Sequence, residues 1–337
     1  MQVTDSRKWS PSTTVIAIID RAAYGLGMRS EQLRYLEAAI RHGSLRKAAQ
    51  EAGVGQPTLS QQIRRLEEDL NVILLIRRAN GVLPSAEART LLPHIRQVLQ
   101  ADRALREEAG LINGLRSGSV RLGAVTTASQ ILLPRVVPAY RNSFPNVRFS
   151  VKESGSQAVR DSVTNGELDL GLVVGPGDPA SSASLTATDL ITDEVVLCVH
   201  RSHPLANKPT VSIQDLEGQS WVVSARGFAL RELVDSAFAP TAQDIVYETT
   251  NPHTSLLMVA AGVGIAMLPR HALRDHHADE IATPLTDWDP PQLTVCMIWR
   301  TDAQPAPAVR KLIQALREVS AEWSRNYPLK RSIPPKP

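Results

Sequence analysis

Between residues 56 and 65 the chain carries Gln56, Thr58, Ser60, Gln61, Gln62, Arg64 and Arg65 on one side of a potential helix. These are groups for reading a polyanionic, hydrogen-bonding surface. Primary amides pair with adenine edges, hydroxyls reach bases or phosphates, and guanidinium groups grip guanine or backbone phosphate. The other side presents Leu59, Ile63, Leu66 and Leu70 at spacings of four, three and four, which predicts one buried stripe. Acids enter only at the far end, as Glu67, Glu68 and Asp69. An ordinary solvated helix face has a similar composition, so the flanking elements must decide.

Those elements predict a helix-turn-helix. Leu33, Leu36 and Ile40 share a helical face that ends at His42-Gly43. Ser44 is placed to cap a second helix with Leu45, Ala48, Ala49 and Ala52 on its apolar side, and Gly53 provides a tight turn. The third helix starts near Pro57, a residue suited to a first turn. From Val72 to Pro84 two apolar runs flank Asn80-Gly81, a pair that accepts positive φ and signals a hairpin turn. Arg77 and Arg78 stand just before it, giving a basic wing able to lie along a nucleic-acid backbone or minor groove. The alternative is an ordinary surface hairpin.

The stretch from Gln32 to Leu92 resembles the DNA-binding domain of LysR-type transcriptional regulators. The resemblance rests on Leu33-Arg34-Tyr35-Leu36, Gly43-Ser44-Leu45, Ala48-Ala49, and the run Val54-Gly55-Gln56-Pro57-Thr58-Leu59-Ser60-Gln61-Gln62-Ile63-Arg64-Arg65-Leu66-Glu67. It implies that Gln56, Pro57, Thr58, Ser60 and Gln61 lie at the major groove of double-stranded DNA. Arg64, Arg77 and Arg78 complete the expected DNA-binding set. The chain departs from the family at Gly55, where a serine cap is usual, at Leu45, where phenylalanine is usual, and at Pro84-Ser85, where the wing normally ends in Leu-Thr. A glycine cap costs only a few tenths of a kcal/mol, so the same fold is expected.

The family begins near Met28. Residues 1–28 are therefore expected to be a mobile extension, or to follow from an upstream start codon that is not used. The winged helix-turn-helix is expected at 29–87, and a linker helix with a hinge at 88–117. Ser85 can cap that helix, whose apolar side is Leu91, Leu92, Ile95, Val98, Leu99, Ala101, Leu105, Ala109 and Ile112. Pro93 should kink it or lie in its first turns. So long a stripe predicts pairing with the same helix of a second subunit, with Leu99 and Leu105 in the contact. The alternative is packing on the chain's own C-terminal part. The resemblance implies a homodimer, doubled to a homotetramer, with Gly114–Gly118 as the hinge.

After Gly118 strands and helices alternate: strands at Val120–Val125, Val147–Glu153, Leu168–Val174, Glu194–His200 and Trp221–Ser224, and helices at Ile131–Tyr140, Gln157–Asn165 and Ala229–Phe238. The pattern predicts an α/β fold with largely parallel sheets and ligands at the C-terminal strand ends. The motifs Leu122-Gly123-Ala124-Val125-Thr126-Thr127, Gly166-Glu167-Leu168-Asp169-Leu170-Gly171, His203-Pro204-Leu205-Ala206 and Ala260-Ala261-Gly262-Val263-Gly264-Ile265-Ala266-Met267-Leu268-Pro269 resemble the family's effector domain and keep its order. The implied chain is multidomain, α+β followed by α/β. Its effector domain, at 118–320, resembles periplasmic solute-binding proteins in having two subdomains, 118–190 with 265–320, and 191–264. A mobile tail is expected at 321–337.

In that fold Thr126, Thr127, Ser156 and Gln157 lie at helix N-termini, where free N–H groups and hydroxyls can hold an anion. Ser224 and Arg226 would face them, with Asn251 and Ile265 near the crossover. The effector is expected to be small and anionic. The plain alternative is that these hydroxyls only cap helices.

The 337 residues suffice for two or three cores, and the net charge of +3 permits nucleic-acid binding without proving it. Cys198 and Cys296 lie apart in apolar runs, as expected of inert buried thiols. No CxxC, P-loop, GxSxG or HExxH is present, and Gly262-Val263-Gly264 lacks the rest of a dinucleotide fingerprint. His276-His277 reads as a surface loop and Asp169 as a structural link. No catalytic residue, metal or cofactor is expected, and the chain is not read as an enzyme. No segment is apolar and long enough to span a membrane, and Val15–Ile19 lacks the features of a secretory signal, so a cytoplasmic protein is expected. Two other readings stay open: a winged-helix regulator without a ligand, and a solute-binding or catalytic α/β protein with an accessory helical domain.

Overall fold

The computed structural model describes residues 28–78, 80–112, 117–175, 184–237, 244–273, 280–289 and 291–327. His276-His277, Gly114 and the first 27 residues lie outside them. The chain divides into two compact units between Asp102 and Arg103.

The first unit contains α1 (Ser30–His42), α2 (Leu45–Ala52), α3 (Gln56–Leu70), the hairpin of β1 (Leu75–Arg78) and β2 (Gly81–Pro84), and most of α4 (Ala86–Ile112). Gly43, Gly53 and Asn71 end the first three helices in the left-handed region, at φ 59°, 66° and 52°. Ser44 caps α2 by accepting from the Lys47 N–H. Leu36, Ala39, Ala48, Leu59, Ile63, Leu66, Leu74 and Val82 make one core, as the apolar spacing predicts; Leu70 packs at its margin.

Gly81, expected in the hairpin turn, is already in the strand: it pairs with Arg78, at φ 138°. The physical reason is tertiary. The Val82 N–H donates to the Gly43 carbonyl at 2.9 Å, and a Cβ on Gly81 would overlap that carbonyl oxygen. Glycine serves here for close approach of the wing to the end of α1. Glu67 is not a solvated acid: its Oε1 accepts from the Leu74 and Leu75 N–H groups at 2.8 and 3.0 Å, tying α3 to the wing.

Ser85 caps α4 by accepting from the Ala88 N–H at 2.9 Å, and Pro93 lies within the helix. The expected apolar stripe splits in two. Ala88, Ile95 and Leu99 close the helix-turn-helix core, so Leu99 is not available to a second subunit. Val98 and Leu105 are 44% and 72% exposed. A helix turns about 100° per residue, enough to send Leu99 inward and Val98 outward.

The second unit comprises β3 (Ser117–Ala124), α5 (Thr126–Ile131), α6 (Leu133–Ser143), β4 (Asn146–Glu153), α7 (Ser156–Thr164), β5 (Leu170–Val174), β6 (Leu185–His200), β7 (Ser220–Ser224), α8 (Ala229–Ala237), β8 (Asp244–Thr249), α9 (Pro252–Ala260), β9 (Ala266–Pro269), β10 (Ile281–Ala282), β11 (Gln292–Arg300) and α10 (Pro307–Asn326). Strand order is β10-β6-β11-β5-β3-β4, with β9 also on β6 and a separate β7-β8 pair. The sheet is mixed rather than largely parallel. β3 is parallel to β4 and β5, whereas β11 is antiparallel to β5 and β6.

The long strand β6 joins two subdomains. Leu185–Glu194 pairs with β11, and Val195–Cys198 pairs with β9. Residues 265–273 and 280–282 therefore belong with the second subdomain, because Ile265 bridges Trp221 and both β9 and β10 pair with the far half of β6. The chain returns to the first subdomain at β11. The expected tail boundary at 321 also moves: α10 runs to Asn326, Trp323 is 6% exposed, and the Arg135 guanidinium stacks on its ring at 5.0 Å.

Candidate functional site

Two surfaces concentrate polar chemistry. On the first unit, Gln56, Pro57, Thr58, Gln61, Arg64 and Arg65 are all exposed along one side of α3, opposite the buried Leu59, Ile63 and Leu66. Arg77 and Arg78 are exposed on β1. Ser60 is half-buried and accepts from Arg77 Nη2 at 2.9 Å. Gln62 turns away and accepts from Gln32 Nε2 at 3.2 Å, so it braces α1 against α3. The result is a helix N-terminal half rich in amides and hydroxyls, flanked by a wing carrying two cations.

In the second unit a cavity of about 30 Å³ is lined by Val125, Thr126, Thr127, Ser156, Val174, Ser224, Phe228, Ala229, Leu230, Thr250, Pro252 and Leu293. That is room for roughly two or three water-sized groups. Thr126, Ser156, Ala229 and Pro252 are the first residues of α5, α7, α8 and α9, so four helices begin at its wall. Neither α5 nor α7 has a side-chain cap. Helix N-termini carry partial positive charge and unpaired N–H groups. No charged side chain lines the cavity among the described residues.

Of the expected site residues, the cavity brings together Thr126, Thr127, Ser156 and Ser224. The Ser156 hydroxyl accepts from the Val174 N–H at 3.0 Å and retains its own proton. The other four lie elsewhere. Gln157 is exposed and bonds Asp161 at 2.8 Å. Arg226 is exposed and does not line the cavity. Asn251 caps α9 by accepting from the His253 N–H at 2.9 Å. Ile265 is fully buried against Trp221. Capping thus accounts for Asn251, but not for Thr126, Thr127 or Ser156, which sit inside their helices' first turns. Phe228, Thr250 and Leu293 escaped the sequence reading. Only Thr250, beside the Asn251-Pro252 helix start, had a local signal.

The thiols stand apart from this site. Cys198 and Cys296 are both fully buried, and burial pushes each thiol up to about 12. Cys296 also donates to Asp189 Oδ1 at 3.0 Å, which favours its protonated form. No metal-binding cluster occurs among the described residues. No helix among them is long and apolar enough to cross a membrane.

Comparison with known proteins fits this division. Residues 30–89 match the bacterial regulatory helix-turn-helix protein, lysR family, and residues 113–321 match the LysR substrate binding domain. The chain is 30% identical over 296 residues to the DNA-binding transcriptional dual regulator OxyR of Escherichia coli (strain K12), covering 86% of this chain and 95% of that protein. It is 29% identical over 294 residues to a hydrogen peroxide-inducible genes activator of Dickeya chrysanthemi, covering 86% of this chain and 95% of that one. Among solved structures, a full-length OxyR variant from Pseudomonas aeruginosa shares the fold at a TM-score of 0.72 and 23% identity, covering 91% of this chain and 99% of that chain. CbnR in complex with its target DNA does so at 0.57 and 21%, covering 87% and 100%. Joining an exposed amide-bearing helix and basic wing to a substrate-binding domain over most of its length, the chain belongs to the LysR family of DNA-binding transcriptional regulators and is not an enzyme.

Proposed function

We propose that this regulator responds to a small anionic ligand, such as a carboxylate, held non-covalently in the cavity of the second unit. The supporting observation is the convergence of four helix starts with the hydroxyls of Thr126, Thr127, Ser156, Ser224 and Thr250. Helix N-termini stabilise an anion without a cationic partner, at about 0.3–1 kcal/mol each. Arg226 has no part in this reading. The small volume holds the ligand's acidic group, and a larger body requires the subdomains to part. Binding that favours one subdomain closure then shifts the population of that state.

Gln56, Pro57, Thr58, Gln61 and Arg64 meet base edges of double-stranded DNA, while Arg77 and Arg78 meet phosphates and Ser60 steadies the wing. The exposed Val98, Ala101, Leu105 and Ala109 face of α4 supports a homodimer, doubled to a tetramer, acting in the cytoplasm where the DNA is. The names of the relatives suggest a second reading, that the chain answers hydrogen peroxide, an oxidant whose usual protein target is an accessible thiolate. Both cysteines are fully buried, with thiols pushed far above neutrality, and neither lines the cavity. Non-covalent sensing is therefore favoured.

The test is a thermal-shift screen of two- to five-carbon carboxylates, inorganic phosphate, amines and neutral sugars, on wild type and Thr127→Val. Carboxylate or phosphate hits lost in Thr127→Val support the proposal. Hits confined to amines or sugars, or unchanged in the variant, refute it.

A further inference from the structure

The α4 helix does more than join two units. From Arg103 onward it is built into the second. Asp169, just before β5, has a side chain only 3% exposed and accepts from two arginines. Arg103 Nη1 on α4 reaches its two oxygens at 3.3 and 3.1 Å. Arg121 on β3 donates from Nη2 at 2.8 Å, from Nε at 3.3 Å and from its backbone N–H at 2.9 Å. One helical turn further, Glu107 is 7% exposed and accepts from the Ser119 N–H at 3.1 Å. A Cβ on Gly118 would come within 2.9 Å of the Glu107 carboxylate. Gly118 thus lets the helix approach β3 closely.

The same two strands lead to the cavity. β3 leads from the Arg121 contact to Val125, Thr126 and Thr127 just beyond its end, and β5 leads from Asp169, just before its start, to Val174. Both ends on the far side line the cavity. At roughly 3.3 Å per residue the two poles lie about 15 Å apart along stiff, paired backbone.

We propose that Asp169 is a positioning residue, gripped by Arg103 and Arg121, that fastens the last turns of α4 to β3 and β5. Movement of those strands then enters the linker helix directly at Arg103, upstream of the glycine-containing segment that follows the helix. The connection to the cavity end rests on the ligand site proposed above. The clamp itself does not, and its test uses no ligand.

The experiment is hydrogen exchange by mass spectrometry on the full-length protein, comparing wild type with Arg103→Gln, Arg103→Lys and Asp169→Asn. Arg103→Gln should speed exchange at residues 103–112 at least tenfold, with residues 86–99 and 170–174 unchanged. Arg103→Lys keeps the charge and should restore most of the protection. Affinity of Arg103→Gln for a selected DNA duplex should stay within about twofold of wild type. Asp169→Asn should act like Arg103→Gln; where it unfolds the unit, Arg103→Gln decides, because it leaves the Asp169–Arg121 contact in place. Unchanged exchange at 103–112 in Arg103→Gln overturns the proposal. So does equal loss in Arg103→Lys, which would make the contact packing rather than an ion grip, or a tenfold loss of DNA affinity in Arg103→Gln.

Discussion

Arg77 on the wing donates from Nη2 to the Ser60 hydroxyl of α3 at 2.9 Å. In the proposed DNA interface this serine helps aim a cation towards the phosphate backbone. Arg77→Ala should weaken binding to specific and random duplexes alike and lower the slope of log affinity against log salt by about 1. Gel-shift titrations across salt check this; loss on the specific duplex alone would make Arg77 a base reader.

Gln56 makes the opposite case. It is exposed at the first position of α3, and an amide pairing with adenine discriminates by about 1–3 kcal/mol. Gln56→Ala should therefore lose that much on a specific duplex, leave random-duplex affinity intact and keep the salt slope. Parallel titrations on the two duplexes read the difference.

The division of the α4 stripe separates folding from assembly. Leu99 is 8% exposed inside the first unit's core, while Leu105 is 72% exposed. Leu99→Glu should destabilise the first unit by more than the roughly 2–5 kcal/mol of a buried leucine truncation. Leu105→Glu should leave its melting unchanged and shift the assembly towards monomer. Sedimentation and denaturant melts distinguish them; an unchanged assembly in Leu105→Glu places the dimer contact elsewhere.

Both thiols should be inert in the native protein. Burial pushes Cys198 and Cys296 up to about 12, leaving almost no thiolate at neutral pH. A disulfide-exchange reagent should label neither until guanidinium unfolds the chain, when the two cysteines of the sequence should react together. One fast-reacting thiol under native conditions would revive the peroxide reading.

Asp193 supports the strand that crosses between subdomains. Burial alone would raise its pKa, but hydrogen bonds from His271, through N at 2.9 Å and Nδ1 at 2.6 Å, outweigh that and hold it below its ordinary 3.8. With the folded value depressed, its contribution is present above the ordinary value and lost as pH falls through the folded one. Asp193→Asn should cost about 1.5–3 kcal/mol at pH 7 and flatten the loss of stability below pH about 4. Urea melts from pH 3 to 7 test both.

What the amino-acid sequence determined by itself is local. The Leu59, Ile63 and Leu66 spacing, the Ser44 cap and the glycines at 43 and 53 specify three helices and their turns, because capping and periodicity act within a few residues. The amide face of α3 was legible for the same reason: the buried stripe leaves those side chains outside. Tertiary structure decided the rest. Gly81 entered the strand because Val82 meets the Gly43 carbonyl, a contact between residues 39 apart in the chain. Leu99 and Leu105 share one apolar pattern, yet one helix-turn-helix core reaches only the first. Arg226 and Ile265 looked eligible for the ligand site by order along the chain, but β6 turns the second subdomain so that Ile265 faces Trp221 and Arg226 faces solvent. Phe228, Thr250 and Leu293 line the cavity only because three separate segments end at the same place. Such convergence depends on strand pairing across more than a hundred residues, which no window of sequence encodes.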